Sequence, residues 1–202
     1  MSLVDQLNSL VLAVKLNVND SLYLLGSMWA AHLLNIILGG SLNILGIRPR
    51  TILGLPGIIF SPWLHGSFDH LFYNSIPLFV LFVFMLTLGT WTCLCATVTI
   101  ILLSGTLTWL LGRNATHIGA SSLIMGYLGF VLTESLLHKT VGTVVIGAVA
   151  IYYFGTSLLS ILPTDEAISY EGHLFGLISG VIASYYGCIW PFTSIAAMLF
   201  SL

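Results

Sequence analysis

The sequence predicts an all-α membrane protein, a bundle of six transmembrane helices, from its composition and from the spacing of its apolar stretches. Hydrophobic residues make up 57% of the 202 residues and charged residues 6%, which is far from the profile of a soluble domain. Six apolar stretches come close to the roughly 20 residues that a helix needs to cross the hydrocarbon core. The net charge of −2 predicts no nucleic-acid partner, so the lipid bilayer is the expected environment.

The six stretches follow one another closely, and helix-breaking residues end two of them. Pro163 and Pro191 stop the fifth and sixth stretches, because proline cannot continue a helix. The first 21 residues carry polar residues at irregular spacing, which indicates a short helix in the membrane interface. The predicted spans are 22–44, 70–88, 91–111, 120–137, 141–162 and 173–189. The predicted domains are an interfacial segment at 1–21, a six-helix domain at 22–190 and a short tail at 191–202.

The segment 48–69 fits neither a water-exposed loop nor a span. It contains three prolines and three glycines, which an uninterrupted helix would not tolerate. It also carries more apolar residues, such as Ile58, Ile59 and Phe60, than a loop in water needs. A broken loop inserted into the membrane between the first and second helices satisfies both observations, provided that protein or water shields its backbone.

Three polar clusters lie at the beginnings of the second, fourth and sixth spans, so all three spans enter the membrane from the same side. Polar side chains at membrane depth are costly and by default mark a functional site. The first cluster holds His65, His70 and Asn74, the second runs from Gly119 to Ser122, and the third holds His173, Gly176 and Gly180.

Each cluster has a functional and a structural interpretation. Ser121, where a loop meets a helix, is either a nucleophile beside N–H groups that suit a developing oxyanion or a helix N-cap. His173 is either the general base of that serine or a histidine hydrogen-bonded to a loop. His70 and Asn74 share a helix face, so they either stabilise an oxyanion or link neighbouring helices. His65 is expected to organise the loop rather than take part.

The glycines of the third cluster share a helix face with His173, since residues three and four apart are neighbours on a helix. Gly176 and Gly180 let that face approach another helix closely. No carboxylate is placed to orient His173, because Glu171 is only two residues away, so the sequence predicts a Ser–His dyad. The cysteines show no metal-type spacing, and no metal or cofactor is expected.

Taken together, the clusters resemble the motifs of the rhomboid family of intramembrane serine proteases. The resemblance covers about residues 22–190 and implies a helical bundle with transmembrane proteins as substrates, cleaved near the membrane surface. The matching motifs are GxSx at Gly119-Ala120-Ser121-Ser122, H-x-x-x-x-H-x-x-x-N at His65, His70 and Asn74, and H-x-x-G-x-x-x-G at His173, Gly176 and Gly180.

The resemblance also implies residue roles: Ser121 as nucleophile and His173 as base, with His70, Asn74 and the Ser121 N–H supporting the oxyanion. Two of the departures from the family pattern lie just after the nucleophile. Ser122 stands where glycine usually follows the nucleophile, and Met125 stands where an aromatic residue often stacks on the catalytic histidine. Neither departure removes a catalytic atom. We therefore expect these two residues to affect the rate of cleavage and the substrate preference rather than activity itself.

The distribution of basic residues and the family resemblance predict opposite orientations of the protein in the membrane. Arg48, Arg50 and Arg113 lie on the side of the clusters, and Lys15 and Lys139 lie on the other, which by charge alone puts the clusters in the cytoplasm. The resemblance implies a cavity on the extracytoplasmic side of the plasma (inner) membrane. A margin of three basic residues to two carries little weight, so we expect the extracytoplasmic orientation.

Two other classes of function are alternatives to proteolysis. A catalytically inactive rhomboid-like chaperone or adaptor would bind client transmembrane helices in the same cleft, but such proteins typically lack the serine or the histidine. A haem or transport protein calls for histidines paired across facing helices or for inverted repeats, and the sequence shows neither. The expected partners are therefore transmembrane protein substrates and the lipid bilayer.

Overall fold

The computed structural model describes residues 1–163 and 169–186. These residues form α-helices and short 3-10 turns, with one isolated antiparallel bridge between Ile47 and His117. The predicted tail at 191–202 and the last residues of the sixth predicted span lie outside this part. The helices are α1 Leu3–Leu16, α2 Val18–Ile37, α3 Gly57–Phe60, α4 Phe68–Thr87, α5 Thr90–Leu111, α6 Ser121–His138, α7 Val141–Phe154 and α8 Tyr170–Tyr186.

The first two helices follow each other almost without a break. Ser2 and Asp5 form a capping box at the start of α1, in which each side chain accepts a hydrogen bond from the other residue's backbone N–H. No residue of α1 is buried, which is compatible with a helix in the interface. α2 ends at Ile37, well short of the predicted end near residue 44. The reason is that Gly39 and Gly40 adopt left-handed φ angles of 65° and 83°, which an α-helix cannot contain.

The chain between α2 and α4 makes a series of short turns. The 3-10 turns Ser41–Leu45, Ile52–Gly54 and Ser61–Trp63 alternate with irregular chain and with α3. Trp109 of α5 donates from Nε1 to the carbonyl of Thr51 at 2.8 Å, so this segment is tied to the end of α5. Its insertion into the membrane stays a prediction.

Within residues 1–163 and 169–186, three helical segments are long and apolar enough to cross a membrane: Phe68–Thr87, Thr90–Leu111 and Val141–Ile161. Helices also occupy the other three predicted spans, in α2, α6 and α8, and their crossing of the bilayer stays a prediction. In the fifth span the regular helix stops at Phe154, and the 3-10 stretch Gly155–Ile161 continues it. Glycine, threonine and serine at that point are weak helix formers. The described part of the chain is thus helical, and the chain is an integral membrane protein.

α6 occupies the centre of the bundle. Every residue from Leu123 to Val131 is buried, and a helix that is apolar and covered on all sides belongs to a core. Tyr127 is fully buried, and its hydroxyl lies 2.9 Å from Oγ1 of Thr97 on α5, which satisfies the phenol. α6 packs against α4, α5, α7 and α8. Its first residue, Ser121, therefore lies at one end of the bundle, surrounded by other helices.

Candidate active site

A cavity of about 620 Å³ opens at the end of the bundle where α4, α6 and α8 begin. Its lining includes four residues that the sequence predicts to be functional: His70, Asn74, Ser121 and His173. The loop between α5 and α6 forms part of the wall. Polar groups from three helices thus face a single volume, although they are far apart in the chain.

Ser121 is the first residue of α6, and Ala120 is the N-cap. No side-chain hydrogen bond caps this end, which lies wholly in the described chain, so the interpretation of Ser121 as an N-cap is wrong. The residues before it are held by the loop between α2 and α4. The Gly119 N–H donates to the Ser61 carbonyl at 2.9 Å, and the Ala120 N–H donates to Nε2 of His65 at 3.4 Å. That loop consequently fixes the backbone that presents the Ser121 hydroxyl to the cavity.

His70 and Asn74 lie one turn apart on α4 and face the loop before Ser121. A Cβ built on Gly119 would lie 2.6 Å from both Cε1 and Nε2 of His70, and 3.7 Å from Nδ2 of Asn74. Nδ2 of Asn74 donates to the His70 carbonyl at 2.9 Å, and a carboxamide nitrogen has a second N–H for another acceptor. Both side chains thus bring hydrogen-bonding groups to the backbone two residues before Ser121.

His173 lies in the first turn of α8 and is partly buried. Its Nδ1 is 2.7 Å from Oγ of Ser160, which belongs to the 3-10 stretch after α7. The Ser160 hydroxyl in turn donates to the carbonyl of Ser157. Between Ser121 and His173, both in the described chain, no hydrogen bond is formed. Catalytic hydrogen bonds are often long before substrate binds and shorten in its complex.

Gly176 and Gly180 bring α8 against the backbone of α6. A Cβ on Gly176 would collide with the carbonyl oxygen of Ser122, and a Cβ on Gly180 would collide with that of Gly126. We call these two contacts the glycine seam. Small residues of this kind let membrane helices approach closely. The seam holds the helices of the predicted nucleophile and base at backbone-to-backbone distance.

His65 is 1% exposed and lies behind the cavity wall. Burial, and to a lesser extent the nearby His70 imidazole, lowers the pKa of His65 from 6.5 to about 4. A buried imidazole resists protonation because its charge would lose hydration. The ring is therefore neutral at pH 7, and its Nε2 is able to accept the Ala120 N–H.

Sequence reasoning missed two serines beside the site. Ser160 contacts the His173 ring, and Ser169 has its Oγ 2.6 Å from Nδ1 of His117, which lines the cavity. The one signal for Ser160 was that polar residues interrupt the fifth apolar stretch near its end. Such residues also occur at many ordinary helix ends, so the pattern by itself does not distinguish Ser160.

Glu171 is buried and interacts with Arg113 of the loop between α5 and α6. Its Oε1 accepts a hydrogen bond from the Arg113 N–H at 3.2 Å and lies 3.7 Å from Arg113 Nε. The carboxylate thus ties the start of α8 to this loop. This agrees with the expectation that Glu171 does not orient the neighbouring His173.

The chain is similar in sequence to one family model and to several mycobacterial proteins. The family model described as the rhomboid domain matches residues 54–190, a range that includes all four predicted functional residues of the cavity. An uncharacterized protein of Mycobacterium tuberculosis (strain H37Rv) is 38% identical over 167 residues, covering 78% of this chain and 70% of the relative. An uncharacterized protein of Mycobacterium bovis has the same identity and coverage. One of Mycobacterium leprae is 34% identical over 167 residues, covering 78% of this chain and 66% of the relative.

Proposed function

The chain belongs to the rhomboid family, and from this membership and the geometry of the cavity we propose that it is an intramembrane serine endopeptidase. It cleaves transmembrane protein substrates near the membrane surface with a dyad of Ser121 and His173. The observation that carries the proposal is the meeting of Ser121, His173, His70 and Asn74 on one cavity. A purely structural role for each residue would not require that they converge.

In the proposed mechanism, Oγ of Ser121 attacks the carbonyl carbon of the scissile peptide bond while its proton passes to Nε2 of His173. The carbonyl oxygen becomes an oxyanion. When that intermediate collapses, the C–N bond breaks and the imidazolium gives its proton to the leaving nitrogen. Water then enters the cavity, and its attack on the acyl ester, assisted by the same histidine, releases the second product.

The oxyanion is assigned to His70, Asn74 and the Ser121 N–H. His70 and Asn74 lie against Gly119, close to where the carbonyl oxygen of a substrate bound at Ser121 would be. The N–H groups in the first turn of α6 have no intrahelical acceptor. They lie at the positive end of the helix dipole, which favours negative charge. Preorganised donors of this kind usually supply the largest single contribution to such catalysis.

The substrate class follows from the position of the cavity at an end of the bundle. A transmembrane helix hides its carbonyl groups in its own hydrogen bonds, so the substrate must unwind where it is cut. Residues that weaken a helix near the scissile bond, such as glycine or proline, therefore favour cleavage. We further propose that the protein lies in the plasma membrane with the cavity on the extracytoplasmic side.

The test is cleavage of a model transmembrane substrate by the purified protein in detergent or liposomes. Ser121→Ala and His173→Ala should each abolish cleavage, and the double variant should be no worse than either, because members of one catalytic unit are not additive. Ser104→Ala is the matched control, since Ser104 is a buried serine of α5 that does not line the cavity.

Two outcomes contradict the proposal. Cleavage by Ser121→Ala at the wild-type rate would remove Ser121 from the mechanism. Substrate binding with no cleavage by the wild-type protein would instead favour the inactive chaperone or adaptor.

A further inference from the structure

We propose that Ser160 is a positioning residue for His173, holding the imidazole in the tautomer and orientation that general-base catalysis needs. The inference rests on the proposed function. It replaces the two-residue dyad expected from the sequence with a row of Ser121, His173 and Ser160, in which a neutral hydroxyl occupies the position that an acid takes in many serine hydrolases.

The direction of the hydrogen bonds determines the tautomer. The Ser160 hydroxyl has a single proton, and in its contact with the Ser157 carbonyl only the hydroxyl is able to donate, because a carbonyl oxygen carries no hydrogen. Towards Nδ1 of His173, at 2.7 Å, the Ser160 oxygen is therefore left as an acceptor. Nδ1 must then carry the hydrogen, and Nε2 keeps its lone pair. Nε2 is the atom that has to take the proton of Ser121.

Two other side chains, Glu171 and Met125, do not supply this orientation. Glu171 is engaged with Arg113. Met125, four residues after Ser121 and thus on the same face of α6, has no ring to stack on the imidazole, and its thioether sulfur is only a weak acceptor for a ring N–H. Ser160 is the partner that the structure records on the His173 ring within the described chain.

The location of Ser160 explains how the residue is held. The 3-10 stretch Gly155–Ile161 follows α7 and packs against α8. The Ser160 hydroxyl bonds the carbonyl three residues before it, a contact that serines also make in the regular helices α1 and α2. The packing of the 3-10 stretch against α8 brings this anchored hydroxyl to the His173 ring.

The first test compares three variants in the cleavage assay. Ser160→Ala should lower kcat at least about tenfold, a part of the ~10²–10⁴ that a general base contributes, with little change in KM. Ser160→Thr keeps the hydroxyl and should retain most of the activity. Ser157→Ala is the matched control, because it lies in the same 3-10 stretch and keeps the carbonyl that accepts from Ser160. An equal kcat for Ser160→Ala and Ser157→Ala, or a change in KM alone, would overturn the inference.

The second test measures the tautomer of His173 and does not depend on catalytic activity. In protein labelled with ¹⁵N-histidine, the signals that disappear in His173→Ala belong to His173. They should report a protonated Nδ1 and a bare Nε2 in the wild type and in Ser160→Thr, and a mixture of tautomers in Ser160→Ala. A proton on Nε2 in the wild type refutes the inference even if Ser160→Ala does not fold.

The two hypotheses fail in different ways. If the wild-type protein cleaves nothing, the proposed function fails and the tautomer measurement still judges the role of Ser160. If the wild type cleaves and Ser121→Ala does not, while Ser160→Ala behaves like Ser157→Ala, only the role of Ser160 is lost.

Discussion

The imidazole rings of His65 and His70 meet edge to face, with centroids 5.0 Å apart and planes at 67°. His65 holds the backbone before Ser121 through Ala120, and His70 lies against Gly119 from the cavity side. The two histidines thus pack on the same short loop and on each other. A change in the charge of the buried His65 ring would therefore be felt at the candidate oxyanion site.

The first prediction concerns the acid stability that follows from His65. Its folded-state pKa of about 4 lies below the ordinary 6.5, so folding favours the neutral ring. This contribution to the free energy of unfolding is complete above pH 6.5 and is lost as the pH falls towards 4, by up to roughly 3 kcal/mol. His65→Gln removes the titration while its side-chain oxygen can still accept the Ala120 N–H. Unfolding in detergent, measured between pH 7 and 4, should depend less steeply on pH in His65→Gln. Identical slopes would contradict the assignment.

The second prediction separates the two adjacent serines. Ser121 lines the cavity, whereas the Ser122 backbone belongs to the glycine seam. An activated phosphonate should therefore label Ser121 covalently, and the label should persist in Ser122→Ala and vanish in Ser121→Ala. Mass spectrometry of the labelled peptide identifies the modified residue. Loss of the label in Ser122→Ala with retention in Ser121→Ala would reverse the roles.

The third prediction concerns Asn74 as an oxyanion donor. Removing one such donor typically costs ~10²–10³ in turnover, so Asn74→Ala should lower kcat by that order with a small effect on KM. Asn35→Ala is the matched control. Asn35 is a buried asparagine of α2, hydrogen-bonded to Asn43 and the Leu42 N–H, and it does not line the cavity. Its loss should reduce stability and leave kcat near the wild-type value. An effect of Asn74→Ala on KM alone would make Asn74 a binding or packing residue.

The fourth prediction tests the glycine seam with a pair of alanine substitutions. Gly180→Ala forces a methyl group into the carbonyl of Gly126, and overpacking of this kind costs about 1–3 kcal/mol. Gly26→Ala, in the middle of α2, meets no atom within 4 Å and should be neutral or stabilising by up to about 1 kcal/mol. Thermal unfolding in detergent measures both. If Gly180→Ala is as stable as Gly26→Ala, the two helices are not in the close contact described.

The fifth prediction concerns orientation in the membrane. Ala115, exposed in the loop between α5 and α6, and Lys139, in the turn after α6, lie at opposite ends of α6. With the cavity on the extracytoplasmic side, Ala115→Cys should react with a membrane-impermeant maleimide in intact cells, and Lys139→Cys only after permeabilisation. The parent protein, with its native cysteines, supplies the background. The reverse pattern would put the cavity in the cytoplasm, as the charge count suggests.

The convergence of the three polar clusters was accessible from the sequence. His70, Ser121 and His173 each lie at the start of an even-numbered apolar stretch, and in the predicted alternation of spans all three enter the bilayer from one side. The side from which each stretch enters depends only on the order of the stretches, so errors of several residues at their ends do not change it. The structure accordingly brings these residues to one cavity, even though α2 ends well before the predicted boundary.

Ser160 and the end of the fifth span were not accessible in the same way. α7 gives way to a 3-10 stretch at the weak helix formers Gly155, Thr156 and Ser157, but Val141–Ile161 is apolar enough to pass for one continuous span. The contact of Ser160 with His173 joins two spans through a hydroxyl that, read along the chain, looks like any serine near a helix end. The Arg113–Glu171 pair likewise connects positions distant in sequence, and no local pattern predicts it.

The glycine seam makes the spacing of α6 and α8 a matter of main-chain contact rather than of side-chain rotamers. A membrane that is thicker or thinner than the bundle makes helices tilt to match it. Because α6 and α8 are in backbone contact at Gly176 and Gly180, we expect them to tilt together. The distance between Ser121 and His173 should then depend little on the thickness of the surrounding lipid. Under the proposed function, membrane composition would then influence turnover mainly through the substrate helix, which is not part of the seam.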